Sequence, residues 1–221
     1  MRIDWGAAWS ALPVLLQGLL VTLQVTLLGM SLALLLGLVW TLSRRSPRRW
    51  ISYPAAGFVE AIRSTPLLVQ VYFLFYVLPS YGIRLSPLAT GVVAVGLHYS
   101  AYTSEVYRAG IEGVPRGQWE AAIALNLRPL QTWMSIILPQ AIPPVIPALG
   151  NYFIAMFKDT PILSAIAVLE VMQTAKILGS ETFRYLEPFT LVGLLFLGLS
   201  LVAAALVRWA ERKLGVRSAS P

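Results

Sequence analysis

Lys158 and Asp159 stand within an apolar stretch of about residues 148–172, and Thr160 and Pro161 follow them directly. Ionisable residues inside a membrane span cost roughly 2.5–3.5 kcal/mol each and usually face a pathway or a partner. A span that is interrupted beside its charges is typical of transport sites, where Asp159 could meet an ammonium group and Lys158 a carboxylate. The alternative is that the two residues pair with each other, or with a partner subunit, to stabilise the helix break.

His98 is the single histidine of the chain and lies midway along another apolar segment, beside Tyr99 and Tyr102. It could line a pathway or respond to pH. A lone histidine in such a position is more often a hydrogen-bonded packing residue between helices, and we favour that interpretation.

The composition indicates which elements must position these residues. Of the 221 residues, 57% are hydrophobic and 12% are charged, whereas a soluble domain has about 25% charged residues. A water-soluble domain of this size could not bury that much apolar surface, which excludes a soluble enzyme and a disordered chain. The chain has no cysteine, which excludes disulfides, thiolate metal sites and cysteine nucleophiles.

The apolar segments predict an all-α polytopic membrane protein in which residues 1–221 form a single membrane domain. A spanning helix needs roughly 20 mostly apolar residues. Five segments qualify, at about residues 12–42, 55–78, 88–107, 148–172 and 188–207.

Lysine and arginine accumulate on the cytoplasmic side of membrane proteins. The segments near 43–56 and 108–130 and the C-terminal tail hold eleven of these residues, against four on the other side. This distribution predicts an N-terminus outside and a cytoplasmic C-terminus. It also accounts for most of the net charge of +7, so nothing points to nucleic acid as a partner.

The loop at residues 108–130 is long and organised. Pro115 ends the preceding helix, and 118–125 is a run of good helix formers. Asn126 can adopt the left-handed conformation that closes a helix, and Pro129 prevents its continuation. This short capped helix either docks a soluble partner or only covers helix ends at the membrane.

The second apolar segment contains a candidate break. Glu60 and Arg63 are three residues apart, so they share a helix face and can form an ion pair. Thr65 before Pro66 fits a cap followed by a first helical turn and marks a break within the span.

A spaced motif occupies the loop and the segment after it. Its members are Glu120, Ala121, Ala122, Asn126, Ile136, Leu138 and Pro139. This spacing resembles the EAA motif of binding-protein-dependent ABC importer permeases, in which glycine is usual at the position of Asn126. The stretches 17–23, 63–70, 138–141 and 158–161 resemble the polar amino acid uptake branch, although Ser64 and Pro161 replace a common glycine and serine.

The resemblance implies a type I ABC importer permease fold in the bacterial cytoplasmic (inner) membrane. It implies a second permease subunit, identical or related, a cytoplasmic ABC ATPase dimer and an extracytoplasmic amino acid-binding protein as partners. The chain lacks a GxxxxGK[ST] phosphate loop. ATP and magnesium are therefore expected on the ATPase, with no cofactor and no enzymatic activity in this chain.

The resemblance also implies residue roles. Part of the loop would seat in the ATPase, namely Gly117, Gln118, Glu120, Ala121, Ala122 and Asn126. A gate would be formed by Glu60, Arg63, Thr65, Pro66 and Gln70. The alternative for Glu120 is a carboxylate that only stabilises the helix dipole.

Three functions compete at this point. The first is an ATP-driven importer of amino acids that works by alternating access. An ion-coupled secondary transporter would explain the broken span without an ATPase, but the organised loop and the lack of an internal repeat argue against it. A membrane enzyme would need a metal cluster or paired catalytic carboxylates, and the carboxylates here are scattered.

Overall fold

The computed structural model describes residues 3–213, so Arg2 and Arg217, two of the charges counted above, lie outside the described residues. Residues 3–213 are α-helical and contain no strand. The helices are α1 (Trp5–Arg44), α2 (Arg49–Arg63), α3 (Leu67–Tyr72), α4 (Pro87–Glu112), α5 (Arg116–Ala124), α6 (Pro129–Thr132), α7 (Leu138–Asp159), α8 (Val171–Thr182) and α9 (Leu186–Lys213). Two π-helical turns, Phe73–Val77 and Trp133–Ile137, and two 3₁₀ segments, Leu78–Tyr81 and Thr160–Ile166, extend them.

Among the described residues, three continuous helical stretches are long and apolar enough to cross a membrane: Trp5–Arg44, Pro129–Ile166 and Leu186–Lys213. Helix α4 contains the predicted third span but does not reach this threshold of apolarity. Its buried positions include polar side chains that face the other helices: Thr90, His98, Ser100, Thr103 and Ser104.

The predicted second span is not one straight helix. Helix α2 and the segment Leu67–Tyr81 meet at 108°, and together they make a fourth, broken crossing. The break lies at Thr65 and Pro66, as predicted, because proline has no amide hydrogen and forces the residue before it away from the helical region.

The predicted fourth span, 148–172, has the wrong bounds. The helical stretch runs from Pro129 to Ile166, so Lys158 and Asp159 lie near the end of α7 and not in the middle of a span. Pro143, Pro144 and Pro147 lie inside α7, although such a density of prolines favours a bent segment over a straight helix. In membrane helices, neighbouring helices and local π-helical adjustments satisfy the backbone groups that proline leaves free, and a π turn directly precedes α7.

Helices α1 and α4 form the most extensive helix pair of the bundle. A β-carbon at Gly37 of α1 would overlap the hydroxyl oxygen of Thr103 on α4 and lie 3.2 Å from the carbonyl oxygen of Ser100, so glycine permits this close approach. The hydroxyl of Thr103 donates to the carbonyl oxygen of Ala33 over 2.8 Å, and the indole of Trp40 donates to Ser100 over 3.0 Å. Small residues and interhelical hydrogen bonds therefore hold the pair, as is common between helices in lipid.

Helix α1 runs the length of the bundle and defines its two ends. At one end, termed the Asp4 end, Asp4 pairs with Arg184 at 2.8 Å. At the other, termed the α5 end, Arg44 contacts Glu105 of α4, which continues into the segment of α5. Helix α8 packs on α1, and its first amides at Met172 and Gln173 donate to the buried carboxylate of Glu170.

Candidate functional site

Six polar or aromatic side chains from three helical segments meet inside the bundle. This polar cluster comprises Gln70, His98, Tyr99, Tyr102, Tyr152 and Asp159. The ring centroids of His98 and Tyr102 are 5.1 Å apart, and those of Tyr102 and Tyr152 are 5.6 Å apart. Hydrogen bonds and ring contacts of these side chains join α3, α4 and α7.

Asp159 is a half-buried member of the polar cluster. Its Oδ2 atom accepts a 2.6 Å hydrogen bond from the hydroxyl of Tyr99. Lys158 is exposed and forms no ion pair within residues 3–213, so the alternative in which the two charged neighbours pair with each other is wrong. Thr160 is buried and donates to the carbonyl oxygen of Phe157 over 2.7 Å, within its own helix end. Of this trio, the structure brings only Asp159 to the cluster.

Gln70 connects the helix break to His98. Its amide nitrogen donates to the carbonyl oxygens of Ile62 and Thr65 over 2.8 and 3.1 Å, and to the Thr65 hydroxyl over 2.7 Å. Its Oε1 atom lies 3.1 Å from Nδ1 of His98. Because an amide oxygen only accepts, Nδ1 carries a proton. His98 therefore makes a hydrogen bond between α4 and α3, as a packing residue would, and its role in packing or in a pathway stays a prediction.

Three arginines surround the carboxylate of Glu105 near the α5 end, and these four residues are termed the arginine cluster. Arg44 lies 2.5 Å from Glu105, Arg108 2.6 Å and Arg63 3.5 Å. The predicted pair within one helix exists, with Glu60 at 3.9 Å from Arg63, and Glu105 pairs in the same way with Arg108 of its own helix. The convergence of α1 and α2 on Glu105 was missed, because the sequence does not reveal which helices are neighbours.

The arginine cluster and the polar cluster are adjacent. The guanidinium of Arg63 lies 5.8 Å from the ring centroid of Tyr102, within the range of a cation–π interaction. Arg63 therefore connects α2 to the aromatic rings of the polar cluster.

The predicted loop helix exists as α5, and Asn126 closes it with a φ of 50°, as expected of a left-handed helix end. Of the residues predicted to seat in an ATPase, five are exposed: Gly117, Gln118, Glu120, Ala121 and Asn126. Ala122 is 1% exposed and faces the rest of the chain. The rings of Trp119 and Trp133 meet edge to face at 5.3 Å and hold α5 in place.

The outer surface of α5 and the following turn carries three exposed apolar side chains among polar ones. Ile123, Leu125 and Leu130 are more than 70% exposed. Apolar residues clustered on an exposed surface mark an interaction site. This surface and the polar cluster are the two candidate functional features within residues 3–213.

The family described as "Binding-protein-dependent transport system inner membrane component" matches residues 26–216. The chain belongs to this family. It is therefore a multi-pass transmembrane subunit of an ABC importer in the cytoplasmic membrane. Such a permease subunit works with an ATPase and a substrate-binding protein.

Individual relatives agree with this assignment. The chain is 52% identical over 201 residues to the probable amino-acid ABC transporter permease protein y4tG of Sinorhizobium fredii, covering 91% of this chain and 87% of the relative. It is 33% identical to the glutamine transport system permease protein GlnP of Escherichia coli K12, covering 98% and 100% of the two chains. In a crystal structure of an amino acid ABC transporter with histidines, a chain 35% identical to this permease superposes with a TM-score of 0.91, covering 96% of this chain and 100% of that one.

Proposed function

We propose that this permease imports polar amino acids into the bacterial cytoplasm by alternating access. It would pair with a second permease subunit, identical or related, and a cytoplasmic ATPase dimer would drive it. The relatives named above are described as amino acid permeases, which supports this substrate class.

The observation that carries the proposal is the polar cluster. Asp159 presents a half-buried carboxylate beside the Tyr99 hydroxyl, and the rings of Tyr102 and Tyr152 lie on the same side of α4 and α7. A carboxylate next to aromatic rings suits the ammonium group of an amino acid, since both attract a cation. Lys158 carries the opposite charge one residue earlier and is free to meet a carboxylate.

The second part of the proposal concerns energy coupling. The α5 end would face the cytoplasm, and the exposed side of α5 would seat in the ATPase. ATP and magnesium would be bound there, with no cofactor in this chain. ATPase closure would move α5, which packs through Trp119 and Trp133 on the start of the Pro129–Ile166 helix. The α7 part of that helix ends at Asp159, and the 3₁₀ segment follows. A movement of α5 would therefore be transmitted along the helix to the polar cluster.

The test is a reconstitution. The permease, with the ATPase and the amino acid-binding protein of the same organism that assemble with it, is placed in liposomes that enclose ATP and magnesium. A panel of acidic, basic and amide amino acids is then offered outside with the binding protein. The expected result is uptake of one polar class that needs all components. Accumulation without the ATPase, driven by an ion gradient, would instead establish the secondary transporter.

A further inference from the structure

Phe183, between α8 and α9, combines an unfavourable backbone with an unburied ring. Its φ is 55°, in the left-handed region, and its side chain is 88% exposed. An L-residue with a β-carbon is disfavoured in this conformation, which at helix ends usually belongs to glycine or asparagine. The ring recovers no burial within the chain, so folding alone does not explain a phenylalanine here.

The residues next to Phe183 are fixed to the bundle. The guanidinium of Arg184 donates to Asp4 over 2.8 Å. The Tyr185 ring stacks on Phe189 with 6.0 Å between centroids and lies against the backbone of Gly179. The exposed ring is therefore carried on a held turn at the Asp4 end.

The length of α1 places this turn in water and not in lipid. Helix α1 has 40 residues, which is about 60 Å at 1.5 Å per residue. A whole bilayer with its headgroups is about 40–45 Å thick. Even at a tilt of about 40°, the helix spans about 46 Å along the membrane normal. With Arg44 at one interface, the Asp4 end projects beyond the other, and the neighbours of Phe183 are polar: Ser180, Glu181, Thr182 and Arg184.

We propose that Phe183 is the anchor on which the extracytoplasmic binding protein docks. This inference rests on the proposed function, which places the α5 end in the cytoplasm and so leaves the Asp4 end for the binding protein. A rigidly held aromatic side chain that fills a pocket on its partner is the usual form of an interface hot spot. The partner surface is expected to offer an apolar pocket with polar residues around it that face Glu181 and Arg184.

Phe183→Gly is the decisive variant, because glycine relieves the backbone strain while it removes the ring. The full complex of permease and ATPase is placed in nanodiscs, and binding of the purified binding protein that supports uptake in the reconstitution is titrated. F183G is expected to weaken binding by at least about tenfold, with the melting temperature of the complex unchanged or raised. F183W should retain most of the affinity. W209A removes an exposed ring, 56% accessible, near the far end of α9, and should bind as the wild type does.

Two results would overturn the inference. One is an F183G complex that binds with wild-type affinity. The other is insertion of the ring into the membrane. In that case brominated lipids would quench the additional tryptophan emission of F183W, and adding the binding protein would leave this emission unchanged. A failure of the proposed function would give a different result. Liposomes with the wild-type complex would then import no amino acid, although docking would still depend on Phe183.

Discussion

Tyr99 of α4 and Asp159 at the end of α7 are joined by a 2.6 Å hydrogen bond across 60 positions of sequence. The bond keeps the hydroxyl of one helix on the carboxylate that we propose for the substrate ammonium. Tyr99 is 4% exposed, so water does not readily replace the contact. In our proposal the same carboxylate serves both helix packing and substrate recognition, and substitutions can separate the two.

Tyr99→Phe removes only the hydroxyl. We expect it to lower the free energy of unfolding by about 1.5–3 kcal/mol, the usual range for a hydrogen bond to a charged group. Asp159→Asn keeps an acceptor for Tyr99 but loses the charge, so uptake is expected to fall at least about tenfold with little loss of stability. Thermal unfolding in detergent and uptake by liposomes measure the two effects. The control is Y102F, since the Tyr102 hydroxyl has no hydrogen-bond partner within residues 3–213.

The arginine cluster predicts an unequal response of two glutamates. Glu105→Gln leaves three guanidinium groups near one another without their carboxylate, and we expect a loss of about 2 kcal/mol. Glu60→Gln should cost less than about 0.5 kcal/mol, since its side chain is 73% exposed and 3.9 Å from Arg63. Denaturation of both variants at low and high salt measures this difference. Equal effects would show that Glu105 is not the centre of the network.

The side chain of Gln70 on α3 forms hydrogen bonds to Ile62 and Thr65 across the break between α2 and α3. Removing this side chain should therefore destabilise the bend. Gln70→Leu removes the side-chain donor to the carbonyl oxygens of Ile62 and Thr65 and leaves Nδ1 of the buried His98 without its acceptor. We expect a cost of about 1–3 kcal/mol and weaker uptake, measured by thermal unfolding and by transport. Gln24→Leu is the matched control, because Gln24 is exposed and has no hydrogen bond among the described residues. A similar loss in both variants would contradict the role of Gln70.

Rules that act on a few neighbouring residues predicted the local features correctly. The bend at Thr65 and Pro66, the short helix before Asn126 and the pair formed by Glu60 and Arg63 all follow from local backbone or helix-face rules. The docking, gate and pathway roles remain predictions.

Features that depend on which helices are neighbours could not be predicted. Arg44 reaches Glu105 across 61 positions, and only the packing of α1 on α4 brings them together. Local rules also do not predict that α7 continues through Pro143, Pro144 and Pro147, because the penalty for proline applies to an isolated helix, whereas the folded chain satisfies the freed groups.

The two central alanines of α5 differ in burial, so their substitutions test different properties. Ala121 is exposed, and Ala122 is 1% exposed. Ala121→Trp should abolish co-purification of the ATPase while the permease keeps its melting temperature. Ala122→Trp should instead destabilise the loop by about 1–3 kcal/mol through overpacking. An A121W permease that still retains its ATPase and its uptake would refute docking on the exposed face of α5.

The ion pair of Asp4 and Arg184 predicts a pH effect at the opposite end. Hydrogen bonds from the Arg184 guanidinium and from the amide of Ala7 hold the pKa of Asp4 below its usual value of 3.8. A carboxylate with a lowered folded-state pKa stabilises the fold above the unfolded-state pKa, and this stability is lost as the pH falls through the folded-state value. Wild-type permease should therefore melt above Asp4→Asn at pH 7, and the gap should close below about pH 3.8. Thermal unfolding of both proteins from pH 7 to pH 3 measures this.

Because the pair also holds the turn that carries Phe183, D4N should weaken binding-protein docking at pH 7. Unchanged docking would show that the turn holds its position without the ion pair.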